Sequence, residues 1–226
     1  MPILEAQNVY HEYATRSGSL AILQGITLSL NQGDALAVLG PSGSGKSTLL
    51  HLLGTLTKPT RGTIVLQGKN PSTLSETDLA HFRNTTIGFI FQDHHLLPQC
   101  SALENVLIPT LALPALQRVG TEARARQLLE KVGLGQRLDH KPAELSGGEK
   151  QRTAVCRALI QKPAIVLADE PTGSLDRHAA ESVGELLLNL CKEDNAVLVC
   201  VTHSAELAQR FPTRMELLDG QLKPMQ

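Results

Sequence analysis

The segment GPSGSGKS, residues 40–47, contains the residue types and spacing that bind a nucleotide's phosphates. It matches the pattern G-x-x-x-x-G-K-[ST], in which the glycines let successive backbone N–H groups curl round phosphate oxygens. Lys46 can reach the β- and γ-phosphates, and the Ser47 hydroxyl can ligate Mg²⁺. The pattern predicts a phosphate site made by Gly40, Pro41, Ser42, Gly43, Ser44, Gly45, Lys46, Ser47 and Thr48.

A second segment, LSGGEKQR at residues 145–152, also has the features of an anion site. Ser146 offers a hydroxyl, and Gly147 and Gly148 offer unobstructed backbone N–H groups. A helix is predicted to begin here, and the start of a helix carries a partial positive charge. Because residues 40–48 already predict a better phosphate site, the sequence raises the question of whose phosphate this segment binds.

An acidic pair follows a short apolar run in the segment AIVLADE, residues 164–170. A buried strand there delivers Asp169 to the carboxyl end of the sheet, where ligands bind in such folds. Asp169 would hold Mg²⁺, usually through a water, and Glu170 would orient and polarise an attacking water. The alternative is a solvated acidic pair at a strand end, which the phosphate site makes the weaker interpretation.

The elements that position these residues alternate between strands and helices, which predicts an α/β fold with a parallel sheet. Half-buried strands are expected near the start, as in ITLSL at 26–30. Further strands are predicted at 34–40, 63–68, 87–92, 164–170 and 196–203, helices at 46–56, 121–133, 147–160 and 177–193, and a hairpin at 215–223. From about residue 92 to 161 strand signals are lacking, so a helical insertion is expected.

Composition excludes several classes of protein. The 226 residues carry a net charge of -1 and only 3% aromatics, which argues against nucleic acid as the main partner. The start of the chain lacks a signal peptide's pattern, and no apolar run is long enough to span a bilayer, so the chain is expected to be soluble by itself. Cys100, Cys156, Cys191 and Cys200 are interpreted as apolar residues in a reducing compartment, with a disulfide or zinc site as the lesser alternative.

The motifs together resemble those of the ATP-binding cassette (ABC) ATPases over nearly the whole chain. In order and rough spacing these are GPSGSGKS, Gln92, LSGGEKQR, AIVLADE, SLD at 174–176 and His203. LSGGEKQR shortly before AIVLADEPTGSLD is highly specific. The resemblance implies one ATPase domain over 1–226 that binds ATP and Mg²⁺ and hydrolyses ATP. It implies a P-loop NTPase fold with a RecA-like parallel core and an N-terminal antiparallel part at 1–92 and 163–226, and a helical subdomain at 93–162.

The resemblance also answers the question of the second phosphate segment. In ABC ATPases two subunits face each other head to tail, so Ser146, Gly147 and Gly148 would bind in trans the ATP held by Lys46 of the partner subunit. Asp176 matches an aspartate that crosses the dimer interface, to which Ser146 would also belong. A homodimer is therefore expected.

The remaining roles follow from the same resemblance. The catalytic set would be Glu170, His203, Gln92 and Lys46, with His203 as the switch histidine at the γ-phosphate; the Mg²⁺ set would be Ser47, Gln92 and Asp169. Tyr13 lies where the adenine-stacking aromatic is expected, with Tyr10 and a merely structural Tyr13 as alternatives. Ser204 follows His203 where many relatives have aspartate, which leaves catalysis intact.

Residues 88–111 are the most informative about the kind of ABC protein. HHLLP followed by ALENV is similar to the LolD family, the ATPases of lipoprotein-releasing systems. This implies LolC- or LolE-like transmembrane partners, contacted near Gln92 to Pro98, and a peripheral location on the cytoplasmic face of a bacterial inner membrane. A MacB-like exporter and an FtsE-like complex that transports nothing are the alternatives. His94 and His95 lack metal-ligand neighbours and are expected to pack or to contact a partner.

Overall fold

A mostly parallel sheet forms the centre of the protein in the computed structural model, which describes residues 1–15 and 18–225. The strands are β1 Leu4–Thr15, β2 Gly18–Leu30, β3 Ala35–Leu39, β4 Arg61–Leu66, β5 Ile87–Ile90, β6 Ile165–Asp169, β7 Val197–Val201, β8 Thr213–Leu218 and β9 Gln221–Pro224. The helices are α1 Lys46–Leu53, α2 Glu76–Thr86, α3 Ala102–Leu107, α4 Thr121–Lys131, α5 Gly147–Leu159, α6 Arg177–Glu193 and α7 Ala205–Ala208. Short 3-10 turns occupy Pro71–Thr73, Ile108–Ala112, Ala115–Arg118 and Pro142–Glu144.

The central sheet has the strand order β5-β6-β7-β3-β8-β9. β5, β6, β7, β3 and β8 run parallel, and β9 pairs with β8 as the antiparallel hairpin that the sequence predicts. The predicted α/β class is confirmed. Because parallel neighbours run in one direction, the segments that follow β3, β5, β6 and β7 emerge at the same edge.

Two hydrophobic cores lie on opposite faces of this sheet, which explains its short continuous apolar strands. In β6, Ile165 and Leu167 pack into one core, whereas Val166 and Ala168 pack into the other. The first core contains α1 and the antiparallel sheet β2-β1-β4. The second contains residues of α3, α4, α5 and α6.

Several elements, β1 and α2 among them, were not singled out from the sequence. β1 pairs along β2 and β4 with register shifts, and such bulges interrupt the alternation by which a strand is recognised. α2 buries only Phe82 and Thr86, so its helical periodicity is weak. Its start is nevertheless marked, since the Ser75 side chain caps it by accepting from the Asp78 N–H.

The interpretation of the cysteines as apolar residues agrees with the burial of three of them. All four cysteines are free thiols, and Cys156, Cys191 and Cys200 are buried in the second core. Burial raises the pKa of Cys156 and of Cys191 to about 12, so both thiols stay protonated at neutral pH.

The helices α3 to α5 lie between β5 and β6 in the chain, and α5 packs directly on β5. Gly88 of β5 allows this approach, because a Cβ placed there would lie 2.4 Å from the Ala158 carbonyl oxygen. Within residues 1–15 and 18–225, every helix is too short or too polar to cross a membrane.

Gly88→Ala is expected to destabilise the protein by about 1–3 kcal/mol, because the new methyl group meets rigid helix backbone. Urea unfolding at equilibrium measures this change. Gly135→Ala is the matched control: its nearest neighbours lie at 3.7 Å or beyond, so its stability should stay within about 0.5 kcal/mol of wild type. Equal stabilities of the two variants would contradict the close approach of α5 to β5.

Candidate functional site

The loop between β3 and α1 has the form of a phosphate cradle. Its backbone has positive φ at Gly43 (80°) and at Gly45 (99°), the residue that precedes the first turn of α1. A Cβ on Gly45 would also lie 2.8 Å from Ile22 Cγ2, so only glycine fits there. The N-terminus of α1 therefore opens onto the loop, as phosphate binding requires.

Lys46 is the charged group of this cradle. Its side chain is buried, and its ammonium donates hydrogen bonds to the carbonyl oxygens of Gly40 at 2.9 Å and Pro41 at 3.0 Å. These bonds hold the positive charge at the mouth of the loop.

Ser47 and Asp169 meet across the site. The Ser47 hydroxyl lies near the Asp169 carboxylate, which ends β6. Burial raises the pKa of Asp169, and neighbouring Glu170 adds to the rise, while the nearby Ser47 hydroxyl opposes it. A hydroxyl and a carboxylate that face each other in a desolvated site form a donor set that suits Mg²⁺, whose charge would offset the cost of burying the carboxylate.

Glu170 is held more tightly than any other acid of the site. Its carboxylate oxygen Oε2 accepts bonds from Thr202 Oγ1 at 2.9 Å and from the His203 N–H at 3.2 Å. Its other oxygen, Oε1, lies 2.9 Å from His203 Nδ1. The Glu170 side chain is 14% exposed and that of His203 is 67% exposed, so the histidine is the partner free to move.

Gln92 follows β5 and completes the constellation. Its backbone carbonyl accepts a bond from Ser174 Oγ at 3.3 Å, and its side-chain amide lies against Gly173. The structure thus brings together the predicted Lys46, Ser47, Gln92, Asp169, Glu170 and His203 in one open cleft of about 550 Å³. The lining residues are Ile22, Ser42, Gly43, Gly45, Lys46, Ser47, Thr48, Phe91, Gln92, Asp93, His95, Asp169, Glu170 and His203.

The second phosphate segment lies outside that cleft. Ser146 caps α5 by accepting from the Glu149 N–H, and the Glu149 carboxylate accepts from the Ser146 N–H at 2.8 Å, which lowers the pKa of Glu149. Gly147 approaches Leu175 and Gly148 approaches Ala179, so the segment packs on the start of α6. Asp176 is exposed and caps α6 by accepting from the Ala179 N–H at 3.0 Å.

The two tyrosines that compete for adenine stacking differ in their surroundings. The Arg61 guanidinium lies 4.4 Å from the centre of the Tyr10 ring and occupies one face of it. Tyr13 is 46% exposed, and its ring lies roughly perpendicular to that of His11, at 4.8 Å between ring centres and 86° between planes. Tyr13 therefore has the more accessible ring, although it does not line the cleft.

Residues 92–98 are anchored to α5 and α3. Arg157 donates to the carbonyl oxygens of His94 and His95, and the His94 ring bonds Gln151. Asn105, fully buried, binds both the N–H and the carbonyl of Leu97. His94 thus contacts α5 within the chain, which agrees with the first of the two roles expected for it, packing or partner contact.

An open groove of about 420 Å³ lies beside this loop, between α2, β5 and α5. Its lining residues are Ala80, Arg83, Asn84, Ile87, Gly88, Phe89, Phe91, His95, Ile108, Pro109, Arg157, Ala158, Ile160, Gln161 and Pro163. We call it the partner groove. His95 and Phe91 line both this groove and the cleft, so the two sites share a wall.

Several cleft residues were missed from the sequence. Ile22, Phe91, Asp93 and His95 line the cleft, and Thr202 bonds Glu170 from behind. Phe91 and Asp93 flank the predicted Gln92, and Thr202 precedes His203, so adjacency in the chain is the signal that could have found them. No such signal existed for Ile22, which reaches the cleft from β2.

The ABC transporter family model matches residues 23–173 of the chain. Among curated proteins, the "Lipoprotein-releasing system ATP-binding protein LolD 1" of Rhodopirellula baltica is 50% identical over 222 residues, which cover 97% of this chain and 96% of that protein. LolD of Myxococcus xanthus is 45% identical and covers 98% of this chain and 99% of its own length.

Solved structures show the same likeness. The ATP-binding cassette MJ0796, solved as a dimer in a post-hydrolysis state bound to ADP and Pi, superposes with a TM-score of 0.85 at 36% identity; the match covers 97% of this chain and 96% of that one. The chain belongs to the ABC transporter family as an ATP-binding subunit of the LolD type.

Proposed function

We propose that this chain is the ATP-hydrolysing subunit of a transporter that releases lipoproteins from a bacterial inner membrane. The observation that carries the proposal is the cleft that unites Lys46, Asp169 and Glu170, in a chain 50% identical to a lipoprotein-releasing ATP-binding protein. Burial of acyl chains contributes about 0.8 kcal/mol per CH₂, so extraction of a lipidated protein from a bilayer calls for coupled ATP energy. The subunit would act on the cytoplasmic face, bound to the membrane through its partners.

In the proposed reaction Glu170 accepts a proton from a water that attacks the γ-phosphorus. The bond from the γ-phosphorus to the bridging oxygen breaks, and ADP leaves with that electron pair, giving ADP and phosphate. Lys46 and the N–H groups of residues 40–48 bind the phosphate charge, and Tyr13 stacks on adenine. Ser47, Asp169 and Gln92 would hold Mg²⁺, which supplies charge neutralisation at the phosphates when bound.

His203 has to exchange partners during this reaction. Its ring rests against Glu170 Oε1 at 2.9 Å, and we assign it to the γ-phosphate when ATP is bound. Because its side chain is largely exposed, this rotation meets little packing resistance. In this proposal His203 leaves Glu170 when a γ-phosphate is bound, so the contacts of the base depend on the nucleotide.

A homodimer completes the site in this proposal. Ser146, Gly147 and Gly148 lie outside the cleft of their own subunit and would bind the γ-phosphate held by the opposite subunit. Asp176, exposed at the start of α6, would cross the same interface. Residues 93–162 would act as a helical subdomain on a core of residues 1–92 and 163–226.

The partner groove is proposed to receive the transmembrane subunits, which would resemble LolC or LolE. It lies beside residues 92–98 and joins apolar side chains such as Phe89 to the cationic Arg83 and Arg157. Because it shares Phe91 and His95 with the cleft, a partner segment seated there would sense the nucleotide.

Glu170→Gln should lower the rate of phosphate release by about 10²–10⁴-fold, because the amide cannot accept the proton of the attacking water. ATP binding should persist and the ATP-bound dimer should accumulate, which gel filtration with ATP detects. Glu130→Gln, an exposed change on α4, is the control and should hydrolyse ATP at the wild-type rate. Wild-type turnover by Glu170→Gln would remove Glu170 from the base role.

Ser146→Arg should leave ATP binding by the monomer intact and prevent the ATP-induced dimer, because a long cation would occupy the phosphate position in the interface. Gel filtration in the Glu170→Gln background measures dimer formation. Ser75→Arg is a matched control, since it removes the equivalent serine cap from α2 away from the interface. Normal dimerisation of Ser146→Arg would contradict the role of the segment in trans.

The function itself is tested by capture of partners. The tagged Glu170→Gln chain with ATP should retain one or two transmembrane proteins, together with lipoproteins, from solubilised membranes. Ala80→Arg, at the exposed rim of the partner groove, should lower this capture at least about tenfold, while Ala123→Arg on α4 should not. Capture of cell-division proteins or of an unrelated permease would contradict lipoprotein release and leave the ATPase proposal standing.

A further inference from the structure

We propose that Thr202 is a positioning residue that fixes the carboxylate of Glu170 for catalysis. This inference rests on the proposed role of Glu170 as the base. Thr202 has no side-chain atom at the cleft surface, so it would act only through the glutamate that it contacts.

The backbone holds Thr202 in a fixed place. It follows the last residue of β7, is fully buried, and donates its N–H to the Val38 carbonyl of β3 at 3.0 Å. On the other side of β7, Asp169 of β6 pairs with Val201, and the Glu170 N–H donates to the Val201 carbonyl at 2.9 Å. Thr202 and Glu170 are therefore neighbours through the parallel pairing of two central strands.

The direction of the hydrogen bond between them follows from the third partner. Thr202 Oγ1 accepts from the Ser204 N–H at 3.0 Å, and a backbone N–H can only donate. The single hydroxyl proton is then directed to Glu170 Oε2 at 2.9 Å, and an ionised carboxylate can only accept. The Thr202 hydroxyl thus accepts from the Ser204 N–H and donates to Glu170 Oε2, which fixes its orientation.

The two carboxylate oxygens have different kinds of partner. Oε2 is bound by a buried hydroxyl and by backbone, whereas Oε1 is bound by the His203 ring, which is largely exposed. When His203 turns to the γ-phosphate, Oε1 becomes free to accept the water's proton while Thr202 still holds Oε2. Without the hydroxyl, Oε2 would keep only the His203 N–H at 3.2 Å, so the carboxylate would be held less firmly, and a misplaced base lowers the rate of the chemical step.

Two conservative substitutions test this inference. Thr202→Val keeps the shape and removes the hydroxyl, whereas Thr202→Ser keeps the hydroxyl and removes the methyl group. We expect Thr202→Val to lower kcat about 10- to 100-fold. The KM and the Kd for ATP should stay within about twofold, because the interaction acts on the chemical step and not on nucleotide binding. Thr202→Ser should retain kcat within about threefold of wild type.

Thr110→Val is the control that separates the expected loss of kcat from the general effect of losing a buried hydroxyl. Thr110 is 2% exposed, and its hydroxyl donates to the Leu107 carbonyl at 2.7 Å in the 3-10 turn after α3. Thr110→Val should lower the Tm about as much as Thr202→Val does and leave kcat unchanged. Phosphate release, fluorescent ATP binding and thermal unfolding of the full-length chain give the required values.

Each outcome decides the inference. A kcat of Thr202→Val close to wild type, or an equal loss of kcat in Thr202→Ser, overturns the positioning role. A loss of kcat in Thr202→Val and not in Thr202→Ser, with an unchanged Kd for ATP, supports it. The Glu170→Gln variant identifies a failure of the proposed function: if it retains turnover, the base assignment itself is wrong, whereas an inactive Glu170→Gln beside a fully active Thr202→Val refutes only the role of Thr202.

Discussion

The parallel pairing of β3, β5, β6 and β7 determines where every charged group of the cleft lies. Val201 of β7 pairs with Val38 of β3 on one side and with Asp169 of β6 on the other. The phosphate loop, the acidic pair and His203 therefore follow strands that end at the same edge of the sheet and at the same level. A slip of one residue would turn the buried side chains of a strand to its opposite face, and both cores resist that slip.

The backbone at Glu170 has an unfavourable conformation that positions the side chain of this residue. Its φ is 45°, a left-handed conformation that costs a side-chain-bearing residue about 1–3 kcal/mol. The Glu170 carbonyl accepts the Gly173 N–H at 3.0 Å, and its N–H bonds Val201, so the turn is held from both sides. This turn directs the carboxylate toward the end of β7, where Thr202 and His203 meet it. The strain at Glu170 is thus offset by one bond to β7 and one within its own turn.

The sequence predicted those strands and site residues that depend on local patterns. Short apolar runs located β3, β6 and β7, and motif spacing located Lys46, Asp169, Glu170 and His203. It did not predict α2, which buries too few apolar residues, or the position of Ile22 against Gly45. The bonds of Arg157 to residues 94 and 95 were also beyond prediction, because they join groups more than sixty positions apart, and no spacing pattern encodes such a contact.

Helix α5 connects the proposed dimer interface to the partner groove. Its first turn carries Gly147 and Gly148, and its later turns carry Gln151 and Arg157, which hold the loop at residues 91–95. Thirteen residues of helix span roughly 20 Å, and a helix moves as a rigid rod over that length. In the proposed dimer, a force that draws the first turn toward a phosphate on the opposite subunit would displace the loop and the wall of the groove with it. The proposed function thus couples nucleotide closure to partner movement through α5.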